Sequence, residues 1–279
     1  MRLGAPVYDD EYHDPESWVR AVQSYGYRAA YCPVGPEADA PTVRAYRDAA
    51  ERADLVIAEV GAWHHNPLSP DEAARAAAIA GCQRALALAD EIGARCCVNV
   101  AGSRDPAQWD GPHPDNLTPD TFDLIVESVR AIIDGVQPAR AVYTLEPMPC
   151  LYPDSPQSYL RLLDAIDRPA FGVHLDPVNL ITSPALYYGN AAFLRECFRL
   201  LGPRIAAVHA KDIVLRPRLT VHLDEVRPGL GTLDYAVLLR ELDRLHADVP
   251  LLLEHLPREE YAPAAAFVRG IAAAEGIAL

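Results

Sequence analysis

Polar and apolar positions along this chain switch repeatedly between a two-residue and a 3.6-residue period, the signature of strands alternating with helices. Strand patterns fall at 1–8, 27–32, 54–60, 95–100, 141–146, 171–176, 204–209 and 249–254. Helical patterns fall at 15–22, 42–53, 69–92, 118–134, 159–166, 185–201, 233–245 and 263–275. The start and stop chemistry agrees with these spans. Ser69-Pro70-Asp71-Glu72 offers a capping oxygen, a proline at the first helical position and acids for the helix dipole, while Gly26, Gly93 and Gly135 are expected to end helices. Eight strand–helix units with no linker rich in Gly and Ser predict one α/β domain over 1–279, a single (β/α)₈ barrel. An open doubly wound sheet is the alternative.

The last four strands end alike. Their closing residues are Glu146, Asp176, His209 and Glu254, and Pro147 and Pro177 forbid two of the strands from continuing. Spaced by about one strand–helix unit each, the four side chains would meet at the C-terminal face of a barrel, where active sites form. Three carboxylates and an imidazole in one place repel one another unless a cation offsets them, so they predict a site for one divalent metal. Manganese, cobalt, magnesium and zinc all suit oxygen and nitrogen donors, with manganese favoured.

Neighbouring positions extend the site. Residues two apart on a strand share a face, so Lys211 should follow His209 inward and His174 should lie one layer beneath Asp176, as a satisfied core histidine or a partner of the metal ligands. Lys211 is the only lysine of a chain that otherwise uses arginine, which suggests a position that needs a compact ammonium. Trp63, His64 and Asn66 after the third strand, Asn99 and Ser103 after the fourth, and Tyr152 and Asn179 in the loops after two ligands are expected to grip a polyhydroxylated substrate. Arg216, His222 and Arg227 lie in an insertion at 213–231 and are candidates for substrate or subunit contacts. The loop at 104–119 is long enough to expect a functional role.

Composition narrows the class. The 279 residues carry a formal net charge of -14, which argues against a nucleic-acid backbone binder but leaves room for a small phosphorylated substrate. No apolar run reaches the roughly 20 residues that span a bilayer, so a cytoplasmic protein without membrane contact is expected. The six cysteines show no C-x-x-C pair and read as free thiols. No P-loop, G-x-G-x-x-G or G-x-S-x-G is present.

Several segments resemble the xylose isomerase-like TIM-barrel superfamily, in its sugar phosphate isomerase/epimerase branch, which includes inosose dehydratases and hydroxypyruvate isomerases. They are Leu145-Glu146-Pro147, Gly172-Val173-His174-Leu175-Asp176, Val208-His209-Ala210-Lys211-Asp212, Pro228-Gly229-Leu230-Gly231-Thr232-Leu233-Asp234-Tyr235 and Leu253-Glu254-His255. The resemblance implies that Glu146, Asp176, His209 and Glu254 bind the metal and that the two glutamates move protons across the substrate. It departs in two places: Asn179 stands where the family often has histidine, and Tyr152 where many ketose epimerases have a second glutamate. The expected activity is a sugar or cyclitol isomerase or epimerase that works through an enediolate, with Glu146, Glu254 and Lys211 as catalytic groups. A lyase or dehydratase on a keto-sugar or inosose is the alternative, including cleavage of carbon-linked glycosides with a small partner subunit. An abasic-site endonuclease and a non-catalytic sugar-binding protein are further readings. Relatives of this kind are often dimers or tetramers, so a homo-oligomer is expected.

Overall fold

A computed structural model describes residues 1–279. The chain alternates β1 (Arg2–Gly4), α1 (Pro15–Ser24), β2 (Ala29–Ala30), α2 (Ala40–Arg52), β3 (Val56–Ile57), β4 (Glu59–Gly61), α3 (Glu72–Ile92) and β5 (Cys96–Asn99). It continues through α4 (Pro119–Val136), β6 (Val142–Leu145), α5 (Pro156–Ile166), β7 (Phe171–Leu175), α6 (Pro177–Leu180), α7 (Pro184–Tyr188), α8 (Asn190–Leu201) and β8 (Ile205–Ala210). A hairpin of β9 (Asp212–Leu215) and β10 (Leu223–Val226), then α9 (Tyr235–Asp243), β11 (Pro250–Leu253) and α10 (Tyr261–Glu275), complete it.

The parallel sheet runs β3-β2-β1-β11-β8-β7-β6-β5-β4. Its two edges are halves of one strand. Ala58, between β3 and β4, donates its N–H to Ala30 on one side and accepts from Cys96 on the other, so the predicted strand at 54–60 pairs in both directions and the ring closes. This is a TIM barrel, with β1, β2, β3/β4, β5, β6, β7, β8 and β11 as its eight staves. Closure leaves no sheet edge exposed, and the helices cover the outside with one continuous apolar core that includes Trp18, Leu86, Ile132, Tyr159 and Leu238. β5, β7 and β11 are buried along their whole length, as strands covered on both faces must be.

Local chemistry moves some boundaries. α3 begins two residues later than Pro70 suggests, because the Asp71 carboxylate, and not Ser69, accepts from the Ala74 N–H. Gly93 then ends α3 in the left-handed region at φ 79°. Gly135 does not end α4. The Gln83 amide of α3 lies over Gly135 and donates to Ala131 O, the helix runs on to Val136, and Gln137 takes the left-handed cap at φ 54°. The insertion at 213–231 folds as the antiparallel β9–β10 hairpin. All six cysteines are free thiols. No helix is long and apolar enough to cross a membrane.

Candidate active site

Glu146, Asp176 and Glu254 each follow the last residue of β6, β7 and β11, and His209 lies near the end of β8. These four staves are consecutive neighbours in the ring, so four residues separated by as much as 108 positions converge. One donor atom from each lies within 4.8 Å of the others. All four side chains are buried. His209 Nδ1 faces Glu254 Oε1 at 2.9 Å, Glu146 Oε1 at 3.3 Å and Asp176 Oδ2 at 3.9 Å.

Tyr159 of α5 fastens the two strands that deliver Glu146 and Asp176. Its hydroxyl sits between Leu145 O at 2.7 Å and Gly172 O at 3.1 Å, and accepts from the Leu145 and His174 N–H groups. Asp176 in turn caps α6, with Oδ1 accepting from Val178 N and Asn179 N, which leaves Oδ2 turned to the cluster. Lys211 is 1 % exposed, and its ammonium lies 2.6 Å from Asp176 Oδ2 and 3.4 Å from Glu146 Oε1, with Glu254 Oε1 also in contact. Asp212 beside it accepts from four backbone N–H groups, those of Ile213, Gly229, Gly231 and Leu233, and so ties the return of the hairpin to the barrel. Gly231 is required there, since a Cβ would collide with Asp212 Oδ1.

The electrostatics of the cluster are those of a cation site. Burial pushes every carboxylate up, and at Glu146 the charges of His209 and Lys211 outweigh it and hold the carboxyl well below the usual range. Glu254 is also lowered, against burial, chiefly by His209. At Asp176 burial wins, and the carboxyl is pushed up to about 6 in spite of Lys211. Burial alone would lower His209, but Glu254, Glu146 and Glu59 raise it well above the ordinary imidazole value. Asp176 Oδ2, Glu254 Oε1 and His209 Nε2 are buried without an aligned hydrogen bond. Three carboxylate oxygens and one imidazole nitrogen, with the orphaned Asp176 Oδ2 and Glu254 Oε1 among them, fit a hard or borderline divalent cation.

Below this layer lies a group that the strand-end pattern misses. Glu59, 1 % exposed at the start of β4, meets His174 Nε2 at 2.9 Å and His209 Nε2 at 3.5 Å through Oε2. Burial opposes ionisation of Glu59, yet His209 and His174 pull its carboxyl down to about 2. The signal was an acid inside the apolar run 55–60, which burial obliges to find a partner. His174 therefore has the polar partner expected of it.

Above the cluster opens a cavity of about 580 Å³. Trp63, His64, Asn179, Lys211, Glu146 and Glu254 line it. Asn179 donates from Nδ2 to Glu146 Oε1 at 3.1 Å. Seven other sequence candidates do not line it, and Ser103 among them is buried in its own loop, donating to Gly111 O. Asn66 is used by the loop after β5, donating to Ser103 O and accepting from Ser103 N and Leu68 N. Asn99 shares the outward face of β5 with Cys97 and points at α3, where Nδ2 reaches His65 O and Cys82 Sγ. Tyr152 packs edge-on against Phe122 and donates to Leu117 O. Arg216 is exposed and paired with Asp224 across the hairpin at 2.8 Å, and His222 is half-buried beside Leu219 O. Arg227 also lies outside the cavity lining and is paired with Glu260. Lining residues with no strand-end or motif signal for the cavity include Tyr31, Trp109, Asp110, Glu225 and Tyr261, and His255 joins them from the segment after Glu254. Trp109 and Asp110 come from the loop at 104–119 flagged by its length, and Glu225 from the insertion.

Fold and site together define a (β/α)₈ barrel with a metal-type acidic cluster at the C-terminal ends of its strands. The chain belongs to the xylose isomerase-like TIM-barrel family, whose sequence profile it matches over residues 19–271. None of the curated proteins matches it in sequence. Solved structures do resemble it in fold. A xylose isomerase-like TIM barrel protein from Mycobacterium smegmatis in complex with magnesium is 16% identical, with a TM-score of 0.68 and 97% of this chain and 95% of that chain covered. The apo 3-keto-D-glucoside 4-epimerase from E. coli is also 16% identical, with a TM-score of 0.68 over 97% and 99% of the two chains. Endonuclease IV from Thermus thermophilus is 15% identical, with a TM-score of 0.70 over 98% and 100%.

Proposed function

We propose that this protein is a divalent-metal-dependent isomerase or epimerase of a sugar or cyclitol, working by proton abstraction next to a carbonyl through an enediolate. The observation that carries this reading is the pairing of Glu146 and Glu254. Their Oε1 atoms approach His209 Nδ1 at 3.3 Å and 2.9 Å, and both residues line the cavity floor, although β7 and β8 stand between the staves that carry them. Two carboxylates that flank one small volume can remove a proton from one side of a carbon and return it to the other.

In this reading Glu146, Asp176, His209 and Glu254 hold one ion, with manganese favoured. When bound, the ion would polarise the carbonyl and adjacent hydroxyl oxygens of a keto-sugar. Glu146 and Glu254 act as base and acid. Asn179 orients Glu146 by its 3.1 Å hydrogen bond. Lys211, held among the carboxylates, offsets their charge and lies where negative charge develops on the substrate. Trp63 and His64 form part of the substrate wall. The epimerase of similar fold acts, by its name, on a keto-glucoside, which is the chemistry this site would serve. Elimination by a lyase begins with the same proton removal and is the second reading. A nucleic-acid substrate is disfavoured by a formal net charge of -14.

The test is deuterium uptake from D₂O into a panel of ketoses and inososes, followed by NMR with metal-stripped protein and with Mn²⁺, Co²⁺ or Mg²⁺ restored. Metal-dependent uptake that Glu254→Gln abolishes is expected. No uptake by any member of the panel would sink the isomerase reading, and loss of a hydroxyl from a labelled product would move the assignment to a lyase.

A further inference from the structure

Charge and volume in the cavity narrow the substrate further, on the assumption that the isomerase reading is right. The floor holds Glu146 and Glu254, and the walls add Glu225 from the hairpin and Asp110 from the loop after β5. The one ammonium or guanidinium among the lining residues is Lys211, and it is buried against Asp176 at 2.6 Å and Glu146 at 3.4 Å. His255 is bound to Glu225 at 3.3 Å and can offset at most that one carboxylate. A divalent ion on the floor together with Lys211 balances the three carboxylates among its ligands. Asp110 remains, so the furnished cavity stays negative. Arg258, beside Pro6 and Tyr261, is already paired with Asp10 at 2.9 Å and Glu11 at 2.6 Å. A phosphate entering this space would meet carboxylates and no free guanidinium or ammonium, at the separations where like charges in a partly desolvated site cost most.

The rest of the wall is aromatic. Tyr31, Trp63, Trp109 and Tyr261 line the cavity, and His64 meets Trp109 edge-on at a centroid distance of 5.3 Å. At about 580 Å³ the space lies within the roughly 300–1,000 Å³ that encloses a drug-sized ligand, so a free hexose on the floor would leave much of it to water. Flat aromatic faces are suited to the apolar faces of a second ring.

We infer that the substrate is a neutral keto-sugar that carries a second ring beyond the reacting ketose, and that the cavity discriminates against sugar phosphates. The second ring meets the aromatic wall to which Trp63 and Trp109 contribute, and the negative charge that remains on Asp110, with Glu225 only partly offset by His255, supplies the discrimination.

Three ketoses that differ only at one oxygen test this. D-fructose, D-fructose 6-phosphate and isomaltulose carry at O6 a hydrogen, a phosphate and a neutral glucosyl ring. Binding to the full-length, Mg²⁺-loaded protein is read from tryptophan fluorescence, since Trp63 and Trp109 line the cavity while Trp18 is buried in the core. Isomaltulose is expected to bind at least about tenfold more tightly than D-fructose, equivalent to about 1.4 kcal/mol, and D-fructose 6-phosphate more weakly than D-fructose. Trp109→Ala should remove most of the gain from the second ring, and Asp110→Asn with Glu225→Gln should narrow the penalty on the phosphate. Equal or tighter binding of the phosphate, or no gain for isomaltulose, including no binding at all, overturns the inference. Fluorescence reports occupancy whether or not a proton moves. The expected order of binding without deuterium uptake would therefore refute the isomerase reading alone, whereas uptake into D-fructose 6-phosphate in preference to isomaltulose would refute only the inference.

Discussion

Glu59 Oε2 and His174 Nε2 meet at 2.9 Å inside the barrel, and the same carboxylate oxygen reaches His209 Nε2 at 3.5 Å. Glu59 thus stands on the Nε2 side of His209, while Nδ1 faces Glu254 and Glu146 in the cluster above. A carboxylate behind a metal-binding histidine fixes the ring's tautomer and orientation and raises its basicity. Glu59→Gln should therefore weaken affinity for Mg²⁺ or Mn²⁺ by about 10- to 100-fold, measured by calorimetry or chelator competition. Unchanged affinity in a folded variant would assign Glu59 to packing alone.

Metal affinity should rise with pH. In the metal-free protein, burial pushes Asp176 up to about 6 from an ordinary value of 3.8, and the carboxylates around His209 raise its imidazole against the effect of burial. A raised carboxyl contributes stability that is complete below pH 3.8 and is lost as the pH rises through about 6. A divalent ion binds the ionised carboxylate and the neutral imidazole, so loading below pH 6 must displace protons. Calorimetric titration in buffers of different ionisation enthalpy should show proton release at pH 5.5 that diminishes by pH 7.5. The gain in Tm on adding metal should be larger at the higher pH. A pH-independent gain would contradict the assignment of these ligands.

Lys211→Met removes the ammonium that lies among Glu146, Asp176 and Glu254. Leaving buried carboxylates without their partner costs about 3–5 kcal/mol. An ion in the cluster supplies part of the missing positive charge, so urea denaturation should show a larger loss without metal than with saturating Mg²⁺. Equal losses in the two states would mean that the lysine and the metal do not share these carboxylates.

The Tyr159 hydroxyl joins β6 to β7 just before the residues that reach the cluster, through contacts with the Leu145 and Gly172 carbonyls and the His174 N–H. Tyr159→Phe keeps the ring packing and strands these buried backbone groups, at a cost of about 1–3 kcal/mol. Chemical denaturation gives that figure. Because the same strands carry two of the proposed ligands, metal affinity should fall as well, and a variant with lost stability but wild-type affinity would limit Tyr159 to the fold.

Much of the architecture was legible because it depends on period and on order. Strand runs and helix runs alternate visibly, Gly93 and the proline-led helix starts mark ends, and a regular succession of such units closes into a barrel. The convergence of Glu146, Asp176, His209 and Glu254 also followed from order alone, since parallel strands place all their C-terminal ends on one face. The sequence by itself determined the barrel and the four strand-end residues.

Only the tertiary structure decided what surrounds them. Glu59 was invisible as a partner because its histidines lie 115 and 150 positions away and meet it only across the interior of the closed barrel. Asn99 was expected at the cavity, but it falls two residues after Cys97 on the face of β5 that packs on α3, where it meets Cys82. Asn66 and Tyr152 are consumed by hydrogen bonds within the loops, while Trp109 and His255 are brought inward by loops, and Glu225 by the β9–β10 hairpin, whose paths no local period encodes. Secondary structure is a short-range property of side-chain pattern. The direction of a loop side chain depends on which distant backbone groups it must satisfy, and these exist only in the folded barrel.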